Sequence, residues 1–210
     1  MTAPHDHDGV ESAHVTTVID IAPQAAVATE IERRAVAWIG PYSQATHLLR
    51  ARDWLVYLEP DARLEARLAV LTHDIERMFP NGPTMDKATG RWDDPHYLYA
   101  HASRSAEVVG VWLHSQGGTQ EEFSLDEVQR LITLHEFGGM NGADLVQAAD
   151  SLSFLETLQD VVRGWVTRGE CGVEQARAKH RYMAERIRVG HARRLAGPLL
   201  EQALASLEDL

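Results

Sequence analysis

The sequence predicts an all-α fold. Its apolar residues recur three or four positions apart over most of the chain, which is the spacing of helices that bury one face. No segment alternates apolar and polar residues as a half-buried strand does. Helix start and stop signals, such as Asp94-Pro95 and Gly40-Pro41, separate the periodic segments. We therefore expect a bundle of about seven helices.

The composition limits the classes of function. A chain of 210 residues with 44% hydrophobic and 24% charged residues can form one well-buried domain. The formal net charge of −11 argues against duplex nucleic acid or an acidic membrane as a partner. The single Cys171 excludes an internal disulfide and a cysteine-based zinc site. Because no apolar run has transmembrane length and no signal-peptide pattern is present, we expect a cytoplasmic protein.

The first 24 residues differ in composition from the rest of the chain. Residues 1–24 are polar and lack lasting periodicity, so we expect a flexible N-terminal tail. His5 and His7 alternate with acidic residues there, a pattern able to bind metal but more typical of a tail. Residues 25–210 are expected to form a single helical domain.

Three predicted helices and a long loop make up the first half of this domain. The helices run from Ala25 to Gly40-Pro41, from Tyr42 to Leu58, and from Pro60-Asp61 to Met78. The loop from Phe79 to Asp94 is rich in Pro and Gly and long for a helical domain. Because such loops are often lids or binding loops, we expect this one to cover a pocket.

Four further helical segments follow the loop. A helix begins with the N-cap at Asp94-Pro95 and continues to Ser115. Another begins with a capping box formed by Ser124 and Glu127 and stops at Gly138-Gly139. A third is capped by Asn141 and extends to Val161. The last runs from Val173 to Leu207, with a break expected at Gly197-Pro198.

Five successive helices carry metal-competent side chains on or beside otherwise apolar faces. Any one of them alone would be an ordinary hydrogen-bonded core residue, but together they indicate a metal site, because bundle cores are where helical proteins assemble such sites. Six ligands exceed the need of one tetrahedral ion, so we expect two divalent ions drawn from Fe, Mn, Zn, Ni, Co or Mg, with Asp74 as the bridge. The six predicted ligands are His47, His73, Asp74, His101, His135 and Asp150.

The order His, His-Asp, His, His, Asp resembles the HD-domain superfamily of metal-dependent phosphohydrolases. The resemblance covers about residues 42 to 160 and implies an HD-domain-like helical bundle. Its simplest members use a His, a His-Asp doublet and a final Asp, which match His47, His73-Asp74 and Asp150 here. The segment Ala148-Ala149-Asp150-Ser151-Leu152 is similar to the helix that supplies the final Asp in the family.

The two additional histidines, His101 and His135, resemble those of the binuclear branches of the superfamily. The stretch His135-Glu136-Phe137-Gly138-Gly139 loosely resembles the HD-GYP phosphodiesterases, although the Tyr-Pro pair that follows in that family is absent here. The same ligand set also resembles the diiron oxygenase branch, which includes myo-inositol oxygenase and phosphonate-cleaving enzymes. The ligands alone therefore leave hydrolysis and oxygenation open.

The interpretation we favour is a binuclear phosphohydrolase that acts on a small phosphorylated molecule such as a nucleotide. We expect Asp74 to be central to catalysis and Glu136 to take part in proton transfer, with Glu76 and Glu136 orienting ligands. The expected substrate contacts are Arg50, Arg104, Lys179, Arg181 and Arg186. The alternatives are a diiron oxygenase and a non-catalytic, metal-stabilised ligand-binding protein. The sequence leaves the oligomeric state open, with a homodimer as one option.

Overall fold

The computed structural model describes residues 29–117, 123–140 and 142–210. These residues form nine α-helices and no strand, which confirms the all-α prediction. The helices are α1 (Glu30–Ile39), α2 (Ala45–Leu58), α3 (Leu64–Thr72), α4 (Pro95–Ser115), α5 (Leu125–Leu134), α6 (Ala143–Thr157), α7 (Gln159–Thr167), α8 (Val173–Glu185) and α9 (Gly190–Ala205). The predicted N-terminal tail, with His5 and His7, and the predicted cap Asn141 lie outside the described residues.

One hydrophobic core takes side chains from every one of these helices. It extends along the chain from Ile31 in α1 to Leu207, just after α9. Helices α2 and α6 lie against each other at its centre, with α3 packed on α2 and α5, and α4 packed on α5. Helices α8 and α9 cover α6 from the other side. This arrangement directs the buried faces of α2 to α6 toward a common region. None of the described helices is both long and apolar enough to span a bilayer.

Two of the predicted helix starts have the expected caps. The Asp94 side chain accepts a hydrogen bond from the backbone N–H of His96, with Pro95 at the first helical position. The Ser124 hydroxyl accepts from the backbone N–H of Glu127. The reciprocal half of the predicted capping box is absent, because the Ser124 N–H donates to Glu65 Oε1 and the Glu127 carboxylate accepts from Arg130. Both caps satisfy backbone donors that have no partner within the helix.

The prediction of about seven helices was too low because two long segments are divided. The helix expected to reach Val161 ends at Thr157, and α7 begins at Gln159. The last segment is interrupted between Glu185 and Gly190, whereas Pro198 lies inside α9. A proline within a helix costs about 3 kcal/mol, but the buried face of α9 packs on the core on both sides of Pro198 and keeps the helix continuous.

The third predicted helix is also shorter than expected. It ends at Thr72 instead of Met78, and a 3₁₀ turn spans Ile75–Met78. His73 caps the end of α3, and Asp74 precedes the turn with φ −104° and ψ 4°. Adjacent side chains in a continuous α-helix point about 100° apart. The break lets His73 and Asp74 face the same site.

Candidate metal centre and its pocket

Four imidazole rings are oriented by hydrogen bonds at the same nitrogen. Each Nδ1 lies against an acceptor on its own turn or on a neighbouring element: His47 on Ser153 Oγ (2.9 Å), His73 on Val70 O (2.9 Å), His101 on Glu76 Oε1 (2.9 Å) and His135 on Ile132 O (2.6 Å). The Ser153 hydroxyl donates to the carbonyl of His47 (2.7 Å), so it accepts the proton of His47 Nδ1. With Nδ1 protonated in each ring, the four Nε2 atoms are the ones available to a metal.

All six predicted ligands converge at one place in the core. His47 Nε2 and His73 Nε2 each lie 3.3 Å from Asp150 Oδ1, and His101 Nε2 lies 2.8 Å from Asp74 Oδ1. Their ligand atoms form three overlapping groups in which all atoms lie within 4.8 Å of one another. These groups are His47–His73–Asp74, His73–His135–Asp150 and Asp74–His101–His135.

The donor set fits divalent ions. His73 Nε2 and His135 Nε2 are buried and make no hydrogen bond with a described residue, although Asp150 Oδ1 lies 3.3 Å from the first and Glu136 Oε1 lies 3.6 Å from the second. A buried polar atom without a partner is costly and is often explained by an ion. Asp74 belongs to two of the three groups and offers two oxygens, so it is the residue best placed to bridge two ions.

The carboxylates of the site stay charged because cations surround them. Burial opposes ionisation of Asp74, but Arg77, His101 and His73 hold its pKa well below the usual value. Burial also disfavours a charged His73, yet the carboxylates of Asp150 and Asp74 raise its pKa to about 9. Without a metal, His73 is therefore protonated at neutral pH, and metal binding there releases a proton.

Two arginines compensate the negative charge of the cluster. Arg186, on the segment after α8, donates to both Glu136 and Asp150, and its Nε donates to Ser151 Oγ at 2.8 Å. Arg77 Nε lies 3.2 Å from Asp74 Oδ2. Arg77 was not among the predicted site residues, although its position three residues after Asp74 indicates that the two side chains are neighbours.

A pocket of about 220 Å³ lies directly beside the cluster. His47, Asp74, Glu136 and Asp150 reach its surface, so ligand atoms are accessible from it. The loop expected to act as a lid forms one wall, through Pro83, Thr84, Met85, Lys87 and Trp92. Its effect on substrate choice stays a prediction. The apolar wall of the pocket consists of Phe154, Leu158, Val161, Trp165 and Met183, and cations lie beside two of its rings, Lys179 at Phe154 and Lys87 at Trp165.

Two of the five predicted substrate contacts line this pocket. They are Lys179 and Arg186, and both are almost completely buried. Burial lowers the pKa of Lys179 to about 8, although the carboxylates of Glu136 and Asp150 oppose this effect. The two residues come from the C-terminal part of the chain, beyond the region that carries the resemblance.

The other three predicted substrate contacts need correction, because none of them is part of the pocket wall. Arg50 donates to both carboxylate oxygens of Glu156 on α6, at 2.7 and 2.8 Å. Arg104 donates to two carbonyls of the loop, Pro80 O (2.6 Å) and Asn81 O (2.5 Å), and thereby anchors it. Arg181 is exposed on α8. A residue one helical turn from a predicted ligand has its backbone close to that ligand. Its long side chain can still point away from the pocket, because hydrogen-bond partners on neighbouring elements determine its direction.

The two other acidic residues lie where ligands can be oriented. Glu76 accepts from His101 Nδ1, as expected for a residue that orients a ligand, and Arg104 Nε lies 3.3 Å from its second oxygen. Glu136 Oε1 lies 3.6 Å from His135 Nε2 and 4.0 Å from His101 Nε2. Both distances exceed the length of a hydrogen bond, so the role of Glu136 in proton transfer stays a prediction.

No protein-family model matches this chain, and no match was found among curated proteins or solved structures. The function must therefore be inferred from the chemistry of the site itself.

Proposed function

We propose that this protein is a metal-dependent phosphohydrolase that binds two divalent ions and cleaves a small phosphate monoester. The observation that carries the proposal is the position of Asp74, which is shared by the His47–His73 group and the His101–His135 group at the edge of a pocket. The order of the six ligands, which resembles the HD-domain superfamily, agrees with this proposal.

Bound divalent ions supply two functions in such sites, since they lower the pKa of a water molecule and polarise the phosphoryl oxygen. The residues of this chain hold the charges in place around them. Arg77 and Arg186 keep Asp74 and Asp150 ionised, and Ser153 and Glu76 orient His47 and His101. Against the effect of burial, Arg186 lowers the pKa of Glu136 and keeps it ionised, so Glu136 can accept a proton from water but has none to give to the leaving group.

The accessible pocket favours catalysis over a purely structural role for metal. Structural metal sites are closed, whereas catalytic sites keep a position open for water or substrate. Here His47, Asp74 and Asp150 are buried in the protein but reach the pocket surface. A diiron oxygenase would use the same ligands, so the choice between hydrolysis and oxygenation requires an experiment.

The experiment is to measure metal content and oxygen dependence together. The metal-free protein is loaded with Mn or Zn without oxygen, and phosphate release is followed for a panel of phosphate monoesters. We expect close to two ions per chain and anaerobic turnover. His135→Ala should reduce the stoichiometry and the turnover, while the exposed Arg194→Met should change neither. Turnover that requires both iron and oxygen would replace the hydrolase with the oxygenase.

A further inference from the structure

Four cationic side chains line the pocket, and three of them are paired with carboxylates. The pairs are Arg77 with Asp74 (3.2 Å), Lys87 with Glu170 (2.9 Å), and Arg186 with Glu136 and Asp150. The fourth cation, Lys179, makes neither an ion pair nor a hydrogen bond with any described residue. A ligand anion can therefore bind Lys179 without breaking an existing ion pair.

Aromatic rings hold the Lys179 ammonium in place. Its Nζ lies 5.1 Å from the ring centre of Phe154, 5.2 Å from that of Tyr182 and 5.6 Å from that of Trp92. Lys179 is only 9% exposed, and burying an ammonium group without a counter-charge is costly. Cation–π contacts offset only part of this cost. The carboxylates of Glu136 and Asp150 act on Lys179 but are paired with Arg186, so a bound anion would supply the direct ion pair that Lys179 lacks.

The apolar wall of the pocket restricts the organic part of a ligand. Phe154, Leu158, Val161 and Met183 offer no hydrogen-bonding side-chain groups beyond a weak sulfur acceptor, and Trp165 offers only its indole N–H. Sugar hydroxyls placed there would lose water without gaining partners. The volume of about 220 Å³ is also small. A cavity of about 150 Å³ holds benzene, and drug-sized ligands occupy roughly 300 Å³ or more.

We propose that the pocket binds a phosphate monoester of a small apolar alcohol, of the size of a single ring, with Lys179 contacting the phosphoryl oxygens. The organic group lies against the apolar wall, and the phosphoryl group faces the ligand cluster. The sequence suggested a small phosphorylated molecule such as a nucleotide. The proposed substrate is a smaller and less polar phosphate ester. It rests on the proposed function only for the reaction of the phosphoryl group, because binding by Lys179 and by the apolar wall does not require turnover.

Binding can be measured with phosphonates, which have no ester bond to hydrolyse. Isothermal titration calorimetry of the Mn-loaded full chain without oxygen would compare phenylphosphonate with methylphosphonate. We expect phenylphosphonate to bind at least about tenfold more tightly, because only its ring covers the apolar wall. The near-isosteric Val161→Thr should reduce this ratio and leave the methylphosphonate affinity unchanged. Equal affinity of the two probes for the wild-type protein would overturn the proposal.

The role of Lys179 is tested in the same titration. Lys179→Met keeps the length of the side chain and removes its charge, so it should weaken phenylphosphonate binding at least about tenfold with metal content unchanged. Arg194→Met removes one positive charge from the exposed surface of α9 and should bind like the wild type. Wild-type affinity of a folded Lys179→Met protein would contradict the assignment.

A parallel turnover assay separates this inference from the hydrolase proposal. If phenylphosphonate binds as expected but no ester is hydrolysed, the hydrolase proposal fails and the binding inference stands. If glycerol phosphate or adenosine monophosphate is hydrolysed with a higher kcat/KM than phenyl phosphate, the hydrolase stands and the inference on the substrate class is overturned.

Discussion

Two clusters of buried charge lie in the same helical core, and they differ in which side chains they bring together. In the first, Glu32 of α1 is fully buried, and its Oε1 lies 3.3 Å from both Arg52 Nη2 and Arg67 Nε. Its Oε2 accepts from the backbone and the hydroxyl of Thr29. This carboxylate has a partner at each oxygen, so the cluster ties α1 to α2 and α3.

The metal-competent cluster is equally buried, but it brings imidazoles and carboxylates together at the edge of a pocket. Buried nitrogens without a hydrogen bond to a described residue occur in both clusters: Arg67 Nε in the first, and His73 Nε2 and His135 Nε2 in the second. Burial of charge is therefore common to a structural cluster and a candidate site. The convergence of metal-competent atoms beside an accessible pocket is what separates them. Substitutions in the metal-competent cluster should change metal content and activity, whereas substitutions in the Glu32 cluster should change stability alone.

The largest effect is expected for Asp74→Ala. Asp74 is shared by two groups of ligands, so its loss should lower hydrolysis by at least about a thousandfold, which corresponds to roughly 4 kcal/mol. Metal content should fall as well, and with it the stabilisation that bound metal gives to the folded state. Elemental analysis, steady-state kinetics and thermal melts with and without metal measure these three effects.

Asp74→Asn is the matched control for the loss of volume, because it keeps the shape but not the charge. It should resemble Asp74→Ala in activity and metal content while packing like the wild type. An Asp74→Ala protein with full metal content and an unchanged melting temperature would show that Asp74 does not bridge the ions.

An effect of similar size, but on stability alone, is expected for Glu32→Gln. Removing one partner of a buried ion pair costs about 3–5 kcal/mol, and here Arg52 and Arg67 both lose their ion pair with Glu32. Urea denaturation with saturating metal should show this loss, and the folded protein should keep its metal stoichiometry. Loss of metal from protein that is still folded would mean that the two clusters are coupled.

The smallest effect is expected for Ser153→Ala. The substitution removes the acceptor that orients His47, and the loss of such a partner typically lowers metal affinity about 10- to 100-fold. Metal titration against a competing chelator should show weaker binding of one ion and unchanged binding of the other. Ser206→Ala removes a hydroxyl that also donates to a helix carbonyl but lies after α9, so it should leave both affinities unchanged. Equal weakening by both substitutions would rule out a specific role for Ser153.

The sequence by itself determined the helical class, the caps at Asp94 and Ser124, and the set of six converging side chains that could hold a metal. These properties depend on local periodicity and on which residue types occupy the buried faces. Neighbouring positions along a helix have nearly constant geometry, so such patterns can be recognised without knowing the packing.

Only the tertiary structure decided which cations belong to the site and where the long helical segments divide. Arg50 pairs with Glu156, which is distant in the sequence, and Lys179 reaches the pocket from α8 because α8 packs on α6. Pro198 stays within α9 because the core holds both sides of it. Long side chains and helix ends have several local conformations of similar energy, so the choice among them depends on partners supplied by other elements.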